Sequence, residues 1–548
     1  MGSLRRALIS LMVVIISINM LSSSQLDNLP QLIISGSPGG LISYLHLVRK
    51  SGYRLILSED PEGIADVLSK KLNLPIKVVR EVNGSEDEIL REMRPHELAY
   101  ALVYASRLDR ELRASDLMNL SRGLSRLEIR KPEGSDLYVA FFSSDGIEYA
   151  FLAAYVAVLK DAPLLDMEEG FEPSILKGAS HVIVVTKPLW RGNYQRYNTM
   201  LKYFTEVDGD PYLDVSFGLL TGNKIDAPFL MLLWEEVLRG AWSGRMMGVS
   251  LLEDLPLARK VELVSRSMGF TTEVYHPDLN YSNLTEEKMK SILETNGGLL
   301  YLSLHGNPYV MALRSDSHPV LSARTIRQVS VFGSLIITLS CDTLSFSDIE
   351  NPRESLAYSF IDSGALAYVG SMKVELTLGS ELGTSYPDLL IALLSSGSTL
   401  GEAVMTVNNL RIKASRGDPE AANEVLLGDP TLRLRNPKAL PFTVERMKGK
   451  YVIETKEDTP LIFLRVNESG KEPSVKSDMP YLHLEWYEDE RGIFIYITTL
   501  STSYAGYFKP GSEVELEMIE KMNLFEVLPY FILILMILII LRAFLRKQ

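Results

Sequence analysis

Side chains able to act as strong nucleophiles are rare in this 548-residue chain, and one stands alone: Cys341 is the single cysteine. A disulfide within the chain is therefore excluded, as is a zinc site built on several thiolates. Cys341 follows the apolar run Val331–Leu339 in the sequence Ser340-Cys341-Asp342. Earlier in the chain, Leu304-His305-Gly306-Asn307 closes the apolar run that starts at Gly298. An imidazole beside a thiol is sufficient for acyl transfer: the imidazolium favours the thiolate, the thiolate attacks a carbonyl, and the imidazole protonates the leaving amine. The glycine after His305 lets backbone approach closely, so the Gly306 and Cys341 amides are candidate oxyanion donors. Taken singly, a histidine at a strand end is ordinarily structural and a lone cysteine ordinarily a small buried hydrophobe. Their conjunction at the ends of consecutive apolar runs is what points to chemistry.

These residues need strands to hold them. Gly298–Leu304 and Val331–Leu339 read as buried strands, and in an open α/β sheet the C-terminal ends of strands line the ligand crevice. Strand-like and helix-like segments alternate from the start of the body. Gln31–Gly36 enters the loop Ser37-Pro38-Gly39-Gly40, a helical pattern follows to Lys50, and Tyr53–Leu57 with a helix near Ile64–Leu72 completes βαβ patterning with a parallel sheet. The glycine loop lacks the spacing of either common phosphate-binding fingerprint and reads as a strand-to-helix turn. The alternation continues through Asp136–Phe142, Ile147–Leu159 and His181–Val185.

Composition narrows the class. Hydrophobic residues make up 46% and charged residues 23%, ordinary values for globular domains, while the net charge of -13 without an internal Lys/Arg stripe argues against a nucleic-acid partner. Both ends carry membrane signals. Arg5 and Arg6, the apolar stretch Ala7–Leu21 and Ser22-Ser23-Ser24 read as a secretory signal peptide over residues 1–24, with an uncleaved N-terminal anchor as the alternative. Residues 523–545 read as a transmembrane helix whose basic flank, from Arg542, faces the cytoplasm, leaving 546–548 as a cytoplasmic tail. The expected localisation is the cell membrane, single-pass type I, with the body on the outer face. Between residues 437 and 522 short alternating segments such as Tyr451–Thr455, Pro460–Arg465 and Gly492–Thr498 predict a small Ig-like β-sandwich serving as a stalk.

The runs Tyr301–Gly306, Ile336–Cys341 and Glu354–Ser371 resemble, in order and spacing, the gingipain family of cysteine peptidases, relatives of caspases, separases and legumains. Asp208–Gly218 is similar to the family's acidic loop and strand, and Leu427-Gly-Asp-Pro-Thr-Leu432 to its closing strand motif. The resemblance spans residues 205–436, preceded by an N-terminal α/β region over 25–204, and the β-rich segment matches the immunoglobulin-like module that commonly follows such domains. It implies an α/β, caspase-like parallel-sheet sandwich with Cys341 as nucleophile and His305 as its partner.

The chain departs from the family pattern at Leu219, where arginine often follows the glycine, and at Ser340, which replaces the usual alanine. The resemblance also implies an acidic residue that orients the histidine. Glu253, just beyond Arg245–Ser250, is the candidate. The loop that supplies basic-residue specificity in gingipains is shortened between Glu253 and Val261, which leaves cleavage after Arg or Lys open. No cofactor is required by this chemistry. Asp208, Asp210 and Asp214 are candidate ligands for a structural Ca²⁺, since hard cations take several oxygens, with a solvated turn as the other reading. The expectation is a membrane-anchored cysteine endopeptidase acting on protein or peptide substrates through Cys341 and His305. A catalytically silent surface binding or adhesion protein on the same fold is the alternative.

Overall fold

The computed structural model describes residues 31–49, 52–72, 75–79, 85–108, 111–124, 135–168, 171–238, 245–250, 255–275, 284–295, 298–313, 319–373, 386–434, 438–447, 449–479, 482–499, 507–520 and 536–537. These fall into two compact units, one ending at Leu440 and one beginning at Pro441. The first unit opens with three parallel strands, β1 (Gln31–Ser35), β2 (Tyr53–Leu57) and β3 (Ile76–Val79), in the order β2-β1-β3. The glycine loop behind β1 is a turn into the helix Gly39–Ile42. The Gly39 N–H, a group that a phosphate would use, donates instead to Asp87 Oδ1 at 2.8 Å.

The core of this unit is a ten-stranded sheet. Its strands are β4 (Leu137–Phe141), β5 (Leu164–Asp166), β6 (His181–Val185), β7 (Ser216–Leu220), β8 (Arg245–Ser250), β9 (Thr271–Tyr275), β10 (Leu299–Ser303), β14 (Leu335–Thr338), β15 (Ala367–Ser371) and β16 (Glu424–Leu427). Three short strands, β11 (His305–Gly306), β12 (Val310–Ala312) and β13 (Leu321–Ser322), form a separate antiparallel sheet. The large sheet runs β5-β4-β6-β7-β16-β15-β14-β10-β8-β9. Strands such as β6, His-Val-Ile-Val-Val, are buried at every position, as expected where helices cover both faces of a parallel sheet. One helix, Ile147–Lys160, is itself buried at every residue from Tyr149 to Val158. It lies beneath the helix Pro95–Ser106 of the N-terminal region, which is why it is apolar all round.

Every neighbouring pair in the large sheet is parallel except β15–β16. That one antiparallel seam divides the sheet into two parallel blocks of opposite direction. The C-terminal ends of β8, β10, β14 and β15 share one edge, while those of β4, β6 and β7 lie at the other. Close backbone approach carries the join between blocks: a Cβ on Gly218 would stand 2.4 Å from the Gly428 carbonyl oxygen, and Gly428 N–H donates to Leu219 O at 2.9 Å.

Two boundaries differ from expectation. The division at residues 204 and 205 runs through the sheet, because β4–β6 from the expected N-terminal region pair on to β7. The second apolar strand starts at Leu335 rather than Val331. Gly333, at φ 71°, turns the chain, and the Ser334 N–H closes that turn on Val331 O.

The second unit is all-β. Strands β17 (Phe442–Met447), β18 (Lys450–Thr455), β19 (Leu461–Val466), β20 (Lys471–Lys476), β21 (Leu482–Asp489), β22 (Gly492–Thr499) and β23 (Glu513–Glu520) form two antiparallel sheets, β17-β18-β23-β20 and β19-β22-β21. The aromatic side chains of Phe442 on one sheet and Phe463 on the other meet edge-on, with ring centroids 6.1 Å apart. Two packed sheets of seven strands agree with the predicted sandwich, but the order does not agree with an immunoglobulin domain. There the fifth strand belongs to the sheet of the first two and the seventh to the other sheet. Here β21 and β23 have exchanged those places. The pairing is explained by the tight β21–β22 hairpin at Glu490-Arg491, which keeps the fifth strand beside the sixth.

Among the described residues no helix is long and apolar enough to cross a membrane. The expected signal peptide lies outside the described residues, as does the expected span apart from residues 536–537.

Candidate active site

β10 and β14 are neighbours, paired in parallel from Leu299 with Leu335 to Leu302 with Thr338. The sequence offset of that register is also the offset between His305 and Cys341, so the two residues leave the same edge of adjacent strands. Beyond the ladder the pairing is continued by Leu339 N–H on Leu302 O at 2.7 Å and by a side chain: Leu304 N–H donates to Ser340 Oγ at 3.1 Å. Ser340 is fully buried, and its own N–H donates to Thr338 Oγ1. Its hydroxyl thus replaces a main-chain acceptor immediately before His305 and Cys341. An alanine there would have no such group, so the serine is more than a small-for-small exchange. His305 and Cys341 are each half-buried and reach solvent.

Gly306 fixes how closely the two arms approach. A Cβ at this position would lie 2.9 Å from Ser340 Cβ, 3.1 Å from the Cys341 carbonyl oxygen and 3.3 Å from Thr343 Cγ2. Only glycine lets the chain after His305 rest on the chain around Cys341. The turn that follows Cys341 is strained: Asp342 has φ 54°, in the left-handed region. It is held there by Asp342 N–H donating to Lys373 O at 3.2 Å and Leu344 N–H to Ser371 O at 2.8 Å, which tie the turn to the end of β15. Asn423 Nδ2 in turn donates to Ser371 Oγ at 2.7 Å. A cavity of ≈ 460 Å³ opens beside this turn on the side away from β10, with Tyr194, Leu201, Asp342, Asp348, Lys373 and Glu420 in its wall.

Glu253 lies outside the described residues. β8 pairs with β10 as far as Ser250 and Ser303, so the described end of β8 lies at the edge that carries His305. Asp208, Asp210 and Asp214 do come together, one oxygen of each lying within 4.8 Å of the others. Burial, reinforced by the Asp208 and Asp210 charges, pushes the Asp214 carboxyl up to about 7. A divalent cation would relieve that repulsion, so the donor set fits Ca²⁺.

Sequence reasoning overlooked two elements. One is the Ser340 bridge, whose only local signal is a hydroxyl before the cysteine at a strand end. The other is a buried charge cluster on the closing motif: Lys160 Nζ lies 2.5 Å from Asp429 Oδ2 and 3.2 Å from Glu235. Burial and the Asp429 charge raise Glu235 to about 8, while the Lys160 ammonium outweighs burial at Asp429 and holds it down at about 2. Lys160 ends a helix far away in sequence, and no local pattern announces the contact.

A half-buried thiol and a half-buried imidazole thus stand at the ends of adjacent strands of one α/β sheet. Residues 254–435, which contain both, match the family model described as peptidase family C25, a match that supports a cysteine-type peptidase. Among solved structures it is similar to the Arg-specific cysteine proteinase gingipain R, with TM-score 0.41 and 11% identity over 72% of this chain and 99% of that one. It is also similar to the complex of the pro- and mature domains of RgpB from Porphyromonas gingivalis, with TM-score 0.37 and 10% identity over 90% and 100% of the two chains. No curated protein matches it significantly.

Proposed function

We propose that the chain is a membrane-anchored, outward-facing cysteine endopeptidase in which Cys341 is the nucleophile and His305 the general acid and base. The observation that carries this reading is the packing of Gly306 on the Cys341 carbonyl at the ends of paired strands, which leaves both side chains at one open edge. The thiolate forms a bond to the scissile carbonyl carbon, and the Gly306 and Cys341 amides receive the oxyanion. The C–N bond breaks as imidazolium gives its proton to the leaving amine. Water then loses a proton to His305 and displaces the sulfur, releasing the acid and restoring the pair. Glu253 orients the imidazole. Asp208, Asp210 and Asp214 hold a structural Ca²⁺, the β unit serves as a stalk, and the apolar run after residue 523 spans the membrane with the body outside.

The test is Cys341→Ala in the full chain, with a mixed peptide library digested and read by mass spectrometry. Cleavage is expected to vanish while the fold and export persist, and stoichiometric alkylation of the single thiol is expected to abolish it equally in the parent. Undiminished cleavage in the variant would sink the proposal.

A further inference from the structure

The arms that carry His305 and Cys341 are joined at two places, and the second lies well outside the sheet. After β11 the chain turns at Asn307-Pro308-Tyr309 into β12, with Asn307 Oδ1 accepting from Tyr309 N–H at 2.8 Å and Val310 N–H at 3.0 Å. The turn projects Tyr309 onto the segment that begins at Cys341. There its phenol donates to Asp348 O at 2.8 Å and accepts from Glu350 N–H at 2.7 Å. Leu356 N–H, further along the same segment, donates to Pro308 O at 2.8 Å. That segment is internally braced, with Ser345 Oγ on Asp348 Oδ2 at 2.5 Å and Ile349 N–H on Ser345 O at 3.1 Å. A displacement of its far end is thus passed back toward the strained Asp342 turn.

We infer that Tyr309 is a positioning residue: its phenol latches the His305 hairpin to the Cys341 segment and holds the imidazole and thiol in working register. The inference rests on the proposed Cys341/His305 chemistry and extends it to a group that touches neither substrate nor the reacting atoms. Three features distinguish a latch from incidental contact. The hydroxyl uses both its donor and an acceptor site. Both partners are main-chain groups of the Cys341 segment, so the contact follows the backbone path rather than a mobile side chain. The base of the two arms is already fixed by Ser340 and Leu304, so a second tie at the tip removes the remaining hinge freedom of β11–β12.

Tyr309→Phe removes the hydroxyl and keeps the ring. The full chain and this variant are compared for kcat and KM on a cleaved peptide and for the pH dependence of iodoacetamide alkylation, which reports Cys341 alone. The latch predicts that kcat falls by about tenfold with KM within about twofold, from loss of reacting-group alignment. It also predicts that the alkylation midpoint moves to higher pH as the imidazole loses its place beside the thiol. Glu350→Ala, which removes a side chain but keeps the main-chain N–H, is expected to leave both readouts at parent values. Parent-like kcat and an unshifted midpoint in Tyr309→Phe would overturn the latch, as would equal losses in Glu350→Ala. His305→Ala separates the two levels of inference. If it leaves cleavage and alkylation unchanged, the Cys341/His305 reading itself falls; if it abolishes cleavage while Tyr309→Phe does nothing, only the latch falls.

Discussion

Gly306→Ala places a single methyl where the two arms of the site touch. The added carbon would meet Ser340 Cβ at 2.9 Å, Cys341 O at 3.1 Å and Thr343 Cγ2 at 3.3 Å, against 3.4 Å for the near limit of ordinary contact. None of these atoms is the end of a flexible side chain: Ser340 and Thr343 are fully buried, and the oxygen is main chain. The arms must therefore separate by a few tenths of an ångström between His305 and Cys341. Misplacement of about 1 Å costs about 10²-fold in rate, so a shift of up to about half that is expected to lower kcat/KM by up to about tenfold. That loss corresponds to up to about 1.4 kcal/mol of transition-state stabilisation. The assay is peptide hydrolysis under kcat/KM conditions, with alkylation of the one thiol counting intact sites. Parent-like hydrolysis in a folded Gly306→Ala variant would refute the claim that this glycine sets the spacing of the pair.

Two further outcomes follow from charged clusters. Lys160→Met strands the Asp429 carboxylate in a buried site beside Glu235, at an expected cost of about 3–5 kcal/mol in chemical denaturation; a loss under about 1 kcal/mol would show that the cluster contributes no net stability. Asp214 binds its proton more tightly folded than unfolded, so its stabilising contribution is complete below 3.8 and is lost as pH rises through about 7. With chelator present, Asp214→Asn is expected to remove that decline in Tm, and Ca²⁺ at higher pH to restore Tm in the parent but not the variant. Identical melting of the two proteins across this window would count against the acidic site.

The strand ends were legible because the signals are local. Leu299–Ser303 and Leu335–Thr338 are short runs of buried apolar residues, and a glycine after a histidine marks close backbone approach wherever it falls. The first four residues of the second run were misread for the same reason: Val331-Phe332 is apolar, but Gly333 turns the chain before pairing starts. The sandwich was legible as alternation in segments such as Tyr451–Thr455, whereas its strand order was not. Alternation states which face is buried and leaves the choice of neighbour open.

The sequence by itself determined that one thiol and one His-Gly pair stand at the ends of consecutive buried strands, because strand periodicity and glycine punctuation are short-range properties. Only the tertiary structure decided that those strands are neighbours in a register that brings the chain ends carrying His305 and Cys341 to one edge of the sheet. It also decided that the sheet reverses at β15–β16, and that Ser340, Tyr309 and Lys160 reach partners at their observed positions. Each of these contacts joins segments brought together by the packing of the whole sheet, and the free energy that selects them belongs to no local stretch of chain.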